Sequence, residues 1–389
     1  MDAQATAPFL RFFRDLKDPR RHNVRHRFDD ILSIAILAVL CRADDWDEVV
    51  CWANAPDNLA FLRCVLALPN GVPCPDTFRR VFARIDPLAF ERCFVAWSAA
   101  LAVNLKGQVV NVDGKTLRRS FAHAWDRQMV HLVSAWAAGN QLVLGQLAVE
   151  GKGNEITAIP RLLDLLNLAG ATVTVDAIGC QRQVAAKVLE RGADYVLAVK
   201  DNQPTLHGKV KALLDEAILD RFAGMRHGYH EQTNGGHGRI ETRRVWVTDE
   251  VRWLGKGLLA LWPGLARGSL AVVESVREVI GSGKPPSVER RYYISSRRDG
   301  VGEAAAAAMA EAIRGHWGVE NGLHWQLDVT FGEDDSRLRA GDGAENFSRV
   351  RRIVLNLLKQ APGKRGQSVK CKRLRCSQDR AYLLAVLSQ

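Results

Sequence analysis

The chain has 389 residues, 47% hydrophobic and 25% charged, which is globular composition with material for a large core and two or three domains. Its formal net charge is +11, and residues 337–376 alone hold twelve Lys/Arg against two acids, so the excess is concentrated in one stretch, as in a polyanion-binding surface. The longest apolar run, residues 31–41 broken only by Ser33, is far shorter than the ~20 residues of a membrane span, and eight scattered cysteines without C-x-x-C spacing argue against a structural zinc site and for reduced thiols in a cytoplasm.

Residues 1–105 carry helical spacing in five segments, 31–41, 46–54, 59–66, 77–85 and 90–103, separated by turns such as Pro69-Asn70-Gly71 and Asp86-Pro87. Asp76 stands where an N-cap is expected for the fourth. Phe78-Arg79-Arg80-Val81 reads either as a DNA-contacting helix start or as an amphipathic helix with solvated arginines.

The period then changes to that of strands. Residues 108–112, 130–136 and 141–149 predict three strands, with Gly139-Asn140 as the tight turn between the second and third. A helix (156–168), a strand (172–175), a helix (182–191), a strand (195–199) and a helix (206–219) follow. This β-β-β-α-β-α-β-α succession predicts an α/β fold with an RNase H-like mixed sheet and helices on both faces. Its first and fourth strands are then neighbours. Residues 226–300 read as a β-rich insertion with strands at 239–247, 269–279 and 290–294. Helical spacing returns at Glu303 and runs to about 327. The tail from residue 346 predicts a helix (347–360), a basic loop and a short helix (381–387). The expected domains are an N-terminal helical domain (1–105), a catalytic domain with its insertion (106–345) and a basic helical tail (346–389).

Two strands end on a single aspartate: Val109-Val110-Asn111-Val112-Asp113 and Thr172-Val173-Thr174-Val175-Asp176. A strand-end Asp is often only a turn residue. Two of them on neighbouring strands could share one divalent cation, with Glu320 as a third acid. His316, Glu320 and His324 have i, i+4 spacing, open to a zinc-like cluster or to a catalytic Glu flanked by phosphate-binding groups. Gly315, Gly318 and Gly322 around Glu320 suggest close approach by another backbone or a ligand. Glu333-Asp334-Asp335 is an alternative acid cluster, more simply read as solvated. Lys115 could hold a phosphate, Lys200, Asn202 and Gln203 could track a DNA strand, and Gly151-Lys152-Gly153 looks phosphate-friendly but lacks P-loop spacing.

These residues resemble the DDE transposases of bacterial insertion sequences, in the branch with the H-repeat-associated proteins. The matching stretches include Leu68-Pro69-Asn70-Gly71-Val72-Pro73, Val112-Asp113-Gly114-Lys115, Val175-Asp176-Ala177-Ile178-Gly179-Cys180-Gln181, Val199-Lys200-Asp201-Asn202-Gln203, Tyr292-Tyr293-Ile294-Ser295-Ser296 and His316-Trp317-Gly318-Val319-Glu320-Asn321. They span nearly the whole chain in order. The resemblance implies metal-dependent cleavage of double-stranded DNA at transposon ends and strand transfer. It implies Asp113, Asp176 and Glu320 as catalytic acids holding Mg²⁺, with Mn²⁺ as substitute, and an oligomer pairing two ends. Around the third acid the wider group has a Tyr, Arg and Lys pattern; here those places hold Ile313, His316 and Leu327. His316 would do the Arg's work on a phosphate in a pH-dependent way, with Arg337 and Arg339 in place of the Lys. Further DNA contacts are expected from Asn321, His324, Arg351, Arg352, Lys364, Arg365, Lys372 and Arg373. A domesticated transposase that binds without cutting, or a nuclease that cuts without joining, are the alternatives.

Overall fold

The computed structural model describes residues 7–22, 24–102, 104–120, 129–150, 154–236, 238–364 and 366–389. In chain order its helices and strands are α1 (Phe28–Leu40), α2 (Trp46–Asn54), α3 (Pro56–Val65), α4 (Pro75–Phe82), α5 (Pro87–Leu101), β1 (Val109–Thr116), β2 (Val130–Ala137), β3 (Leu142–Glu150), α6 (Glu155–Leu165), β4 (Thr172–Val175), α7 (Arg182–Glu190), β5 (Asp194–Val199), α8 (Pro204–Leu219), β6 (Gly228–Gly236), β7 (Arg239–Thr248), α9 (Lys256–Leu261), β8 (Ser269–Val279), β9 (Ser287–Ser295), α10 (Glu303–His316), α11 (Gly343–Gln360), α12 (Val369–Gln378) and α13 (Arg380–Leu387). No described helix is long and apolar enough to cross a membrane.

The chain forms two compact units. One consists of residues 104–113 and 155–319, the other of residues 1–103, 114–154 and 320–389. The boundary falls inside β1, between Asp113 and Gly114.

The first unit is a mixed sheet in the order β1-β4-β5-β9-β8-β7-β6. β1, β4 and β5 are parallel, and each is rich in β-branched residues, as fully buried strands are. β9 joins antiparallel to β5, so the β-rich stretch after α8 continues this sheet, with Val196 opposite Ser295 and Val199 opposite Tyr292. α10 lays Ala306, Met309, Ala312 and Ile313 on Val196, Val245, Val247, Val273 and Tyr293. The row of small alanines lets the helix approach the sheet closely. β6 was not anticipated, because Gly228–Gly236 has no apolar alternation and its residues are mostly exposed.

The second unit is largely helical, with the antiparallel β2–β3 hairpin beside the end of β1. The hairpin turn runs over four residues and is closed by Gln141 at φ +52°, not by a two-residue Gly139-Asn140 turn. α11 is its axis. Fifteen of its residues are buried, and it packs on α1, α5, β2 and β3. Trp46 of α2 stacks between Phe78 and Phe82 of α4 and Phe347 of α11. The expected basic tail therefore forms part of a hydrophobic core. An Asp76 cap would start α4 at Thr77, but the helix begins two residues earlier, at Pro75, with Cys74 in the cap position, and Asp76 pairs instead with Arg79.

Candidate active site

β1 and β4 pair in parallel, with Asn111 opposite Thr174 and Val112 opposite Val175. Asp113 and Asp176 are therefore the next residues of the two neighbouring strands. Side chains alternate along a strand, so Asp113 shares a face with Asn111, and the extended course of β4 aims Asp176 with Thr174. Those two inner residues do touch: Thr174 Oγ1 donates to Asn111 Oδ1 at 2.7 Å. Both aspartates are half-buried. The chain turns immediately after Asp176, and the amide of Gly179 donates to its Oδ1 at 3.2 Å. Gly179 is required there, since a Cβ would lie 2.1 Å from Val175 Cγ1. Burial holds the Asp176 carboxyl above its ordinary value, and the charge of Glu155 adds to this. The amides of Gly179 and Ile178 and the charge of Lys200 pull the other way.

His316 ends α10 over this same face. Its Nδ1 lies 3.1 Å from Thr174 Oγ1, and Asn111 Nδ2 donates to the carbonyl of Gly315 at 2.9 Å. Because the threonine hydroxyl donates to Asn111, it accepts from His316, which fixes the Nδ1–H tautomer. Burial lowers the His316 pKa to about 4. The ring is thus neutral across the physiological range, and the expected role as a pH-dependent cation on phosphate is corrected to that of a neutral link between α10 and β4. Ile313 is buried in the sheet–helix core.

Glu320 belongs to the second unit and is exposed, as is Asn321. The α-helical i, i+4 spacing does not continue to it. Glu320–His324 and Gln326–Thr330 are π-helical turns, a widened coil that rotates successive side chains differently. Of the three glycines only Gly322 is closely approached, and by a side chain in place of the expected backbone or ligand: the ring of Trp136 stands 3.0 Å from where its Cβ would be. Leu323 and Leu327 are fully buried. His324 is largely buried too, and burial together with the charges of Arg352 and Lys115 lowers it to about 4, so it is not a phosphate cation either. Among the described residues, no three His, Cys, Asp or Glu side chains form a group that could hold a metal ion. Asp113 and Asp176 stand as a pair of hard oxygen donors of the kind that suits magnesium.

Several expected DNA contacts are interior. Arg351, Arg352 and Arg373 are 1%, 0% and 3% exposed. Arg352 is paired with Glu333 at 3.0 Å, Arg373 with Asp44 at 2.7 Å, and Arg351 lies over the Phe347 ring. Carboxylates neutralise Arg352 and Arg373, and Arg351 donates to the carbonyl of Asp44 at 3.3 Å, so all three heads face the interior and not a DNA surface. Lys372 is half-buried and donates to the carbonyls of Leu358 and Ala361. Lys115 is buried, bonded to Asp328 and Asp334. Glu333, expected in a solvated cluster, is 1% exposed. Lys200, Asn202, Arg337, Arg339 and Lys364 are exposed. Asn202 also donates to the carbonyl of Ala177, next to Asp176. Arg365 and Gly151-Lys152-Gly153 lie outside the described residues.

Sequence reasoning overlooked Asn111, Thr174 and Glu155. A polar pair inside two β-branched strands was the available signal for the first two, since a buried amide requires partners. Glu155, at the start of α6, is 5% exposed and close enough to act on Asp176.

Residues 10–98 match the model of the family described as DDE_Tnp_1-associated, and residues 104–357 match that of the transposase DDE domain. "Putative transposase YncI" of Escherichia coli O157:H7 is 36% identical over 388 residues, covering all of this chain and 95% of that protein. "H repeat-associated putative transposase YhhI" of Escherichia coli K12 is 37% identical, covering 94% and 93%. Among solved structures, a piggyBac transposase synaptic complex with hairpin DNA has a TM-score of 0.42 at 11% identity, covering 98% of this chain and 77% of that one.

Proposed function

The chain belongs to the transposase DDE domain family, and we propose that it is the transposase of a bacterial insertion sequence, cutting double-stranded DNA at the element's ends and joining the freed 3′ ends to target DNA. The observation that supports this reading is the parallel register of β1 and β4, whose last paired positions, Val112 and Val175, immediately precede Asp113 and Asp176. We assign Asp113, Asp176 and Glu320 as the catalytic acids and as the holders of Mg²⁺, for which Mn²⁺ substitutes. When bound, the metal would activate the attacking hydroxyl and stabilise the leaving 3′ oxygen.

The chain's own residues prepare that site. The amide of Gly179 orients the Asp176 carboxylate. Asn111 and Thr174 hold the end of α10, four residues before Glu320 in the chain, on the face from which Asp113 emerges. Attack by water and then by a 3′ hydroxyl needs no covalent intermediate on a Ser or Tyr. Lys200, Asn202, Asn321, Arg337, Arg339 and Lys364 are the exposed groups we assign to the DNA backbone. We read the sheet as RNase H-like, since an antiparallel hairpin beside β1 and the parallel β1-β4-β5 run follow that order. Handling two ends together calls for a homo-oligomer, at work on chromosomal DNA in the cytoplasm.

A strand-transfer assay tests the proposal. The purified chain with Mg²⁺ and a duplex carrying the element's end should give both a nicked end and a joined product. Cleavage without joining would make it a nuclease, and binding without cleavage a domesticated DNA-binding protein.

A further inference from the structure

A second cationic surface lies away from the acids in sequence and wholly within the N-terminal helices. A cleft of about 650 Å³ is lined by Arg20, His22, Arg25 and His26 on one side and by Asn70, Cys74, Arg80 and Arg84 on the other, with no Asp or Glu in its lining. Its walls are fixed. Asn70 Nδ2 donates to the carbonyl of Arg25 at 2.5 Å, and His26 Nδ1 to that of Gly71 at 3.2 Å, where Gly71 makes the turn at φ +71°. Arg20 is spent on structure, bidentate to Asp18 and bonded to the carbonyl of His26.

The other guanidiniums are different. Arg79, one residue before Arg80, is neutralised by Asp76 and Asp47. Arg25, Arg80 and Arg84 are exposed and have no carboxylate partner among the described residues. Uncompensated positive charge is costly where it is concentrated, and burial together with the charges of Arg25 and Arg20 already holds His26 below its ordinary value. Three unpaired guanidiniums on a preformed concave wall suit an anion with many phosphates, because each planar fork can take two phosphate oxygens.

We propose that this cleft grips the phosphate backbone of double-stranded DNA through Arg25, Arg80 and Arg84, giving the N-terminal helices a DNA-holding role separate from the catalytic acids. The identification of DNA as the polyanion rests on the transposase reading. The grip is sequence-independent and acts through released counterions.

The test is a salt titration of the full chain on a 30-base-pair duplex of random sequence, comparing the wild type with the Arg25→Gln/Arg80→Gln/Arg84→Gln variant. All three side chains are exposed, so the melting temperature should be unchanged. The slope of log K against log salt should flatten by about 2 to 3. Inorganic phosphate at equal ionic strength should compete weakly; strong competition would make this a small-anion site and overturn the proposal. The exposed Cys74 thiol in the cleft gives an independent reading. Its alkylation should slow when duplex is added, relative to the exposed Cys51. An unchanged slope, or Cys74 alkylation unaffected by bound duplex, overturns the cleft and leaves the catalytic reading standing. Asp113→Asn should lose cleavage while keeping the full slope, so the two ideas fail separately.

Discussion

Arg352 and Glu333 pair at 3.0 Å with both side chains fully buried. Ser348 adds a hydroxyl to the same carboxylate, and Lys115 stands 3.7 Å from its other oxygen. Two features that looked like separate surfaces in the sequence, a run of acids and a basic tail, neutralise each other inside one core. Removing one partner of such a pair leaves the other charged and desolvated. Glu333→Gln should destabilise the protein by about 3 kcal/mol or more in urea unfolding. A change within about 0.5 kcal/mol would show that the pair is not a structural element.

Acid should weaken this core in two stages. Burial opposes ionisation of Glu333, but Arg352, Lys115 and Arg351 outweigh it and bring its pKa down to about 2. A depressed carboxyl stabilises the fold above the unfolded value of about 4.3 and loses that contribution as pH falls toward 2. His316 and His324, both lowered to about 4, bind protons in the unfolded chain first. Stability should therefore fall between pH 6.5 and 4, at up to about 1.4 kcal/mol per pH unit for each ring, and again below pH 4.5. Melting temperatures across pH 7.5 to 3 read both limbs, and His316→Gln/His324→Gln should flatten only the upper one.

The neutral state of His316 bears on catalysis as well. A ring that titrates near 4 contributes no inflection to the cleavage rate between pH 6 and 8. Its support from Thr174 should matter more. Thr174→Val removes the hydroxyl shared by Asn111 and His316, leaving a buried amide acceptor unpaired at a cost of about 1–3 kcal/mol. Cleavage should fall more than end binding does. Equal loss of both would mark the triad as purely structural.

Asp113→Asn, Asp176→Asn and Glu320→Gln should each abolish cleavage and joining while leaving the fold and DNA binding intact, because an amide keeps the shape and loses the attraction for a divalent ion. The deciding comparison is with Asp334→Asn. Asp334 is engaged by Lys115 and Arg118, so that variant should lose some stability and still cut. A dead Asp334 variant beside an active Glu320 variant would move the third acid downstream.

The neighbouring aspartates were legible because β-branched runs announce buried strands and a single Asp stands out after each; Asp176 does follow the end of β4, but β1 continues past Asp113 to Thr116. The β1–β4 pairing followed from element order alone. The interior arginines were not legible. Arginine is mostly exposed in proteins, and a partner 258 residues away, as Glu91 is for Arg349, leaves no local trace. α12 was read as a basic loop because Val369–Gln378 has no apolar stripe; its helix is set by the Ser368 cap on Cys371 and by Arg373 reaching Val39 and Asp44. The helical spacing through Glu320 was right in kind but not in pitch, since Glu320–His324 and Gln326–Thr330 wind as π turns, the first of which seats Gly322 against Trp136.

The threading of the second unit has a genetic corollary. Its core is closed by residues far apart in the chain: Glu91 waits for Arg349, and Asp44 for Arg373. A frameshift or stop codon before codon 343 removes the axial helix and leaves Glu91 without its guanidinium partner. Such a truncated product should fail to close this core and be cleared by proteases, so that it would not act as a stable repressor competing with the intact protein. Disabled copies of this gene should thus be silent at the protein level, and point mutations in the acids the main route to an inhibitory variant.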